Sequence, residues 1–142
     1  MDKLTLKLIK IVNATDKEAF EAFTEPDHLS RWFTTRAEAE LVEGGRYSNA
    51  DGDKGEYLSI DPPKRVVFTW DNEKHCPGTV VEVTFTGKED GVVEISLEHA
   101  KLSSDVDLHD MNTGWSWALE SLRSYLETGK PTPFEQWQKD NR

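Results

Sequence analysis

The chain has 142 residues, 36% hydrophobic and 31% charged, with a formal charge of −10. That length is most simply one domain, large enough to bury a core without disulfides or a structural metal. The negative charge argues against nucleic acid or an anionic membrane surface as partner, because either phosphate field repels it.

The elements read clearly in chain order. Residues 3–12 alternate apolar and polar and predict a strand. Asn13-Ala14-Thr15 is a turn, and Thr15 with Glu18 has the capping-box pattern that opens a short helix carrying Ala19, Phe20, Ala22 and Phe23. Pro26 stops it and begins a second short helix, about 26–32, ending in Arg31-Trp32-Phe33. Strands follow at 36–42, 45–50, 54–61, 64–71, 78–87 and 91–100. Their separators are turn chemistry, among them Glu43-Gly44-Gly45, Asp51-Gly52-Asp53, Asp61-Pro62-Pro63, Asn72 to Gly78 and Glu89-Asp90-Gly91.

Residues 105–127 form the last element, one long amphipathic helix. Met111, Trp115, Ala118, Leu119, Leu122, Tyr125 and Leu126 fall on one face, whereas Trp117 points about 160° from Trp115 at ~100° per residue. Asp105, Asp107 and Asp110 lie at its start, where negative charge suits the helix dipole. Gly129 ends it, Pro131 and Pro133 block continuation, and the tail 131–142 packs as a short turn or stays loose. This order is α+β: a curved antiparallel sheet of about six to seven strands wrapped around a long C-terminal helix, with two short helices after the first strand. The domain spans 1–130.

Three blocks carry a family resemblance: Thr24 to Phe33 with Gly44-Gly45-Arg46-Tyr47, Gly55 to Trp70, and Gly114-Trp115 through Leu126. They resemble the START-like (SRPBCC, helix-grip) superfamily, and within it proteins related to the C-terminal domain of the 90-kDa heat-shock protein ATPase activator. The likeness runs in order along nearly the whole chain. It implies a helix-grip fold and a cavity between sheet and helix. The full eukaryotic activator has a further N-terminal domain for which this chain has no room. Superfamily members include lipid carriers, hormone-binding proteins and polyketide cyclases, so the fold does not fix a function.

Strand phase gives the cavity candidates. Val66, Phe68 and Trp70 share one face of their strand, as do Val81, Val83 and Phe85, and Val93, Ile95, Leu97 and His99. With Trp32, Phe33 and Tyr57, and with Met111, Trp115, Leu119 and Leu122 on the helix, these residues line a mostly apolar pocket for a small hydrophobic or aromatic ligand, or else fill a core. Trp32 and Phe33 read first as a plug pinning the short helices to the sheet, a role compatible with a lid over the mouth.

Machinery for chemistry is thin. His28, His75, His99 and His109 have no metal-ligand spacing, and His75-Cys76 reads as a loop with an incidental cysteine. His99, on an apolar strand face, is the one weak candidate for a general base; otherwise it is a core histidine satisfied by a neighbour. Glu56, Glu82, Glu94 and Glu98 read as the solvated sheet face. No nucleophile elbow, phosphate loop or dinucleotide fingerprint occurs, and no metal or cofactor is expected.

Three classes of function therefore remain. They are a non-enzymatic binding module, a cyclase- or hydrolase-like enzyme using the same cavity, and an interaction protein whose acidic surface docks on a chaperone in a stress response. The expected state is a monomer or weak homodimer. With one cysteine, no run approaching ~18 apolar residues and no signal-peptide core, the expected location is cytoplasmic.

Overall fold

The computed structural model describes residues 3–72 and 75–141 and, for residues 75–77, the backbone alone. Its elements run β1 (Leu4–Val12), α1 (Asp16–Thr24), α2 (Pro26–Trp32), β2 (Ala37–Ala39), β3 (Arg46–Asn49), β4 (Asp53–Asp61), β5 (Arg65–Asn72), β6 (His75–Gly87), β7 (Val93–Leu102), α3 (Asp105–Thr128) and α4 (Phe134–Asp140). The strands form one seven-stranded sheet in the order β1-β7-β6-β5-β4-β3-β2. Every neighbouring pair is antiparallel. Strands β2 to β7 are a meander; α1 and α2 carry the chain from β1 at one edge to β2 at the other. This is the helix-grip α+β fold.

Local chemistry explains the helix ends. Thr15 caps α1 through the reciprocal capping box with Glu18. Pro26 opens α2, where its missing N–H is no loss. Ser104 caps α3, and Gly129 closes it in the left-handed conformation at φ 82°.

Period-2 alternation builds the core. On β6, Val81, Val83 and Phe85 are buried, as are Val93, Ile95, Leu97 and His99 on β7. Trp115, Ala118, Leu119 and Leu122 meet them from α3. The outer face carries cross-strand ion pairs, Arg65 with Glu82, Lys88 with Glu94 and Lys7 with Glu98. Two polar contacts fix α3 against β1: Lys10 Nζ lies 2.8 Å from Glu120, and the Asn13 amide donates to Glu127 at 2.9 Å. Glu120 is also held by Arg123, whose hydrogen bond pulls its carboxyl down to about 2.

Strand β2 covers only Ala37–Ala39 of the expected 36–42, and three further segments differ from the sequence expectation. Strand β6 begins at His75 rather than 78, so His75 and Cys76 belong to a strand backbone; their side chains lie outside the described residues. The tail is neither a simple turn nor loose but forms α4, tied down where Trp117 Nε1 donates to the Thr132 carbonyl at 2.8 Å and Phe134 meets the Trp117 ring edge-on. Strand β7 runs on to Leu102 through a bulge opposite β1, where Lys101 takes φ 66°. The bulge breaks the alternation and returns Leu102 to the core beside His99.

Lys101 is exposed and holds a backbone shape that glycine adopts without a Cβ penalty. Lys101→Gly is expected to raise the unfolding free energy by about 1 kcal/mol, read from the urea midpoint.

Candidate functional site

The site is organised around Trp115, 3% exposed at mid-height of α3. Its indole is ringed by Trp70 at 5.0 Å, Phe33 at 5.8 Å, His99 at 6.2 Å and Phe23 at 6.4 Å between ring centres. Phe33 stacks nearly parallel to it, 7° between planes, and stacks again on Trp117 at 6.2 Å. Such rings supply apolar area together with directional quadrupole contacts.

One hydrogen-bond chain runs through this cluster. Trp115 Nε1 donates to His99 Nδ1 at 3.0 Å. An indole nitrogen only donates, so Nδ1 accepts and the His99 proton sits on Nε2. Nε2 then donates to Thr79 Oγ1 at 2.8 Å, and that hydroxyl donates to the Trp70 carbonyl at 2.8 Å. Burial pushes the His99 pKa down to about 4, against a smaller opposing pull from Asp107. His99 is thus a neutral, fully buried side chain with both ring nitrogens engaged by protein. In this arrangement it orients Trp115 and presents no free lone pair to a substrate.

Beside Trp115 lies a cavity of about 40 Å³. Its walls include Phe23, Leu29, Trp32, Phe33, Tyr47, Tyr57, Val66, Phe68, Trp70 and Trp115, from both short helices and the α2 end, strands β3 to β5 and α3. Trp32 is immobilised, its Nε1 donating to the Ala22 carbonyl and its own carbonyl accepting from Ser121 Oγ, both at 2.7 Å. Tyr57 is buried and its phenol is pushed up to about 12 by that burial. Tyr47 donates to the Thr69 carbonyl. The Trp70 indole N–H is buried and finds no acceptor among the described residues, and the buried Thr34 Oγ1 is likewise without a partner among them. An orphaned buried donor costs roughly 1–3 kcal/mol.

Trp70, Phe33 and Trp115 separate this cavity from a second, outward recess of about 190 Å³. Asp51, Asp53, Met111, Gly114 and Trp117 complete that recess. Gly114 stands in mid-helix, where glycine costs ~1 kcal/mol against alanine, and a Cβ there would meet nothing within 4 Å.

The sequence candidates therefore divide. Trp32, Phe33, Tyr57, Phe68, Trp70 and Trp115 come together on the cavity wall, and Met111 lies in the recess. Val83, Phe85, Ile95, Leu97, Leu119 and Leu122 pack in the core and touch neither space. Val66, a candidate from strand phase, joins the first set on the cavity wall. Phe23, Leu29 and Tyr47 were not singled out for the pocket; Phe23 carries a helical-stripe signal, and Tyr47 lies in a block of the family resemblance. Among the described residues, no group of three or more His, Cys, Asp or Glu is placed to hold a metal ion.

Two measurements test the Trp115–His99 pair. Trp115→Ala is expected to cost about 3–5 kcal/mol by denaturation, because it empties a packed centre. His99 binds a proton near its ordinary pKa of about 6.5 only when unfolded, so its contribution is complete above that pH and is lost as pH falls toward 4. Stability is expected to drop by roughly 3 kcal/mol across that window, with His99→Gln flattening the slope above pH 5.

Comparison with known proteins places the fold. CalU16 from Micromonospora echinospora superimposes with a TM-score of 0.77 at 27% identity, covering 88% of this chain and 77% of that one. DynU16, a protein in the dynemicin biosynthetic locus, matches with a TM-score of 0.78 at 26% identity over 89% of this chain and 48% of its own length. PFC0360w, an HSP90 activator from Plasmodium falciparum, shares the fold with a TM-score of 0.74 at 22% identity, over 80% of this chain and 88% of that one. A comparison with curated proteins finds no match. The family model described as Activator of Hsp90 ATPase homolog 1-like protein matches residues 13–127, and the chain belongs to that family.

Proposed function

We propose that this protein is a cytoplasmic binding module that holds a small, flat apolar or aromatic molecule between β3–β5 and α3, without assigned chemistry. The observation that carries the reading is the Trp70 indole N–H, buried without an acceptor among the described residues in a wall of aromatic rings. A ligand bearing one carbonyl, ether or hydroxyl oxygen supplies that acceptor. Ligand pockets ordinarily measure roughly 300–1,000 Å³, so the 40 Å³ cavity must open to receive such a molecule. In this reading Phe33 is the wall that moves, because it is half-buried, follows the last turn of α2 and stands between cavity and recess. The relation to DynU16, a biosynthetic-locus protein, supports a small organic molecule as ligand.

The test is an NMR titration of the full chain with fatty acids, sterols, flavonoids and aromatic acids. Saturable shifts are expected to converge on Tyr57, Phe68, Trp70 and Trp115, with the Trp70 indole proton moving downfield as it gains an acceptor. Absence of shifts from every compound refutes the reading.

The family assignment favours a second reading, contact with a chaperone. It predicts stimulation of a 90-kDa heat-shock protein's ATP hydrolysis that charge reversal on the acidic surface abolishes. A flat ATPase rate across a protein titration dismisses it.

A further inference from the structure

The second indole of α3, Trp117, points away from the core stripe, and its partners lie in the C-terminal segment. Trp117 and Ser121 stand one helical turn apart, so they share a face of α3. Both meet the same tail residue. The Thr132 carbonyl accepts from Trp117 Nε1 at 2.8 Å, and the Thr132 N–H donates to Ser121 Oγ at 3.3 Å.

Each of these α3 groups has a second partner beside the inner cavity. Ser121 is fully buried and donates its hydroxyl proton to the Trp32 carbonyl at 2.7 Å. That carbonyl is one of those that the end of α2 leaves without a helical partner. A hydroxyl gives one proton and accepts others, so Ser121 serves both neighbours at once. The Trp117 ring stacks on Phe33 at 6.2 Å, with 21° between planes. Thr132 therefore braces both the backbone that carries Phe33 and the Phe33 ring itself.

The brace is lightly held. Helix α4 buries no residue, and Phe134, 37% exposed, meets the Trp117 ring edge-on at 5.8 Å. A segment with so little buried apolar area opens well below the global unfolding free energy. We propose that residues 130–141 are a latch on the inner cavity. Docked through Thr132 they hold Phe33 against Trp115; undocked, they free Trp117 and Phe33 to swing outward and open the cavity. The latch rests on the binding-module reading, in which Phe33 is the wall that moves, and adds what controls that movement. Ligand entry and tail release share one equilibrium, so a ligand that requires the open state favours release, and loosening the tail raises affinity.

The test follows hydrogen exchange of the indole N–H groups by NMR in the ligand-free full chain. The Trp70 N–H sits in the cavity wall and reaches water when the cavity opens, whereas the Trp115 N–H, bonded to His99, reports the core. Phe134→Ala removes the aromatic contact of the tail, and Thr132→Pro removes the N–H that Ser121 accepts; neither residue lines the cavity. Each variant is expected to speed Trp117 and Trp70 exchange by roughly five- to tenfold, with Trp115 and the β6 and β7 amides unchanged. Wild-type Trp70 exchange in both variants overturns the latch, as does equal acceleration at Trp115 and the strand amides, which is global loosening. The neutral dye N-phenyl-1-naphthylamine is then titrated into the same proteins, and both variants are expected to bind it more tightly by about the same factor. Faster Trp70 exchange without dye binding supports the latch and counts against the binding module. Dye binding with unchanged exchange does the reverse, so the two readings fall separately.

Discussion

The hydrogen bond from Trp115 to His99 is the constraint on which the centre of this molecule depends. It joins α3 to β7, and through Thr79 and the Trp70 carbonyl it continues across β6 to β5. A sheet and a helix packed only by apolar contact can slide past one another with little loss. A buried indole donor facing a buried imidazole acceptor cannot, because either group left alone loses its partner in a low dielectric. Trp115 is thereby locked in position, and Phe23, Phe33 and Trp70 pack around an orientation already fixed. His99 helps hold the aromatic cluster together by remaining neutral.

Around that rigid centre, two features run against stability: the orphaned Trp70 N–H and the mid-helix Gly114. Both adjoin the spaces on either side of Phe33. Other buried polar groups near them are satisfied: Trp32 Nε1 finds Ala22, Ser121 Oγ finds Trp32, and Thr24 Oγ1 finds Phe20, although Thr34 Oγ1 is a second buried atom with no partner among the described residues. Local rules broken side by side are a common mark of a functional region. Strand propensity and core packing do not require either exception.

Much of this fold was legible from two periodicities and from turn chemistry. The capping box at Thr15 and Glu18, Pro26 at the start of α2 and Gly129 after α3 each name their boundary because a single backbone conformation is at stake. The β7 end was not legible, since the bulge at Lys101 interrupts alternation and no side-chain pattern announces a left-handed lysine. The tail helix was hidden for another reason: its order comes from Trp117 and Ser121, residues ten or more positions away. For the site, phase put the right side chains on the inner face but could not say which of them meet a cavity. Phe85 and Phe68 have the same pattern in sequence, yet Phe85 is covered by Phe20 and Phe23 while Phe68 borders open space. That distinction belongs to the placement of α1 and α2, which no single strand records.

Charge narrows the chemistry of what these spaces can hold. The chain carries 27 acidic against 17 basic side chains, and several of the basic ones are already engaged, Lys10 and Arg123 with Glu120 and Arg65 with Glu82. The long-range field is therefore negative and reinforces the carboxylates at the β3–β4 turn. An anionic ligand approaches against this field and finds no basic side chain lining either the cavity or the recess among the described residues. A neutral molecule meets no such barrier, and a cationic one is drawn in by the same potential that repels phosphate backbones. The acidity that disfavours a phosphate backbone thus also disfavours, among small molecules, carboxylates and phosphates.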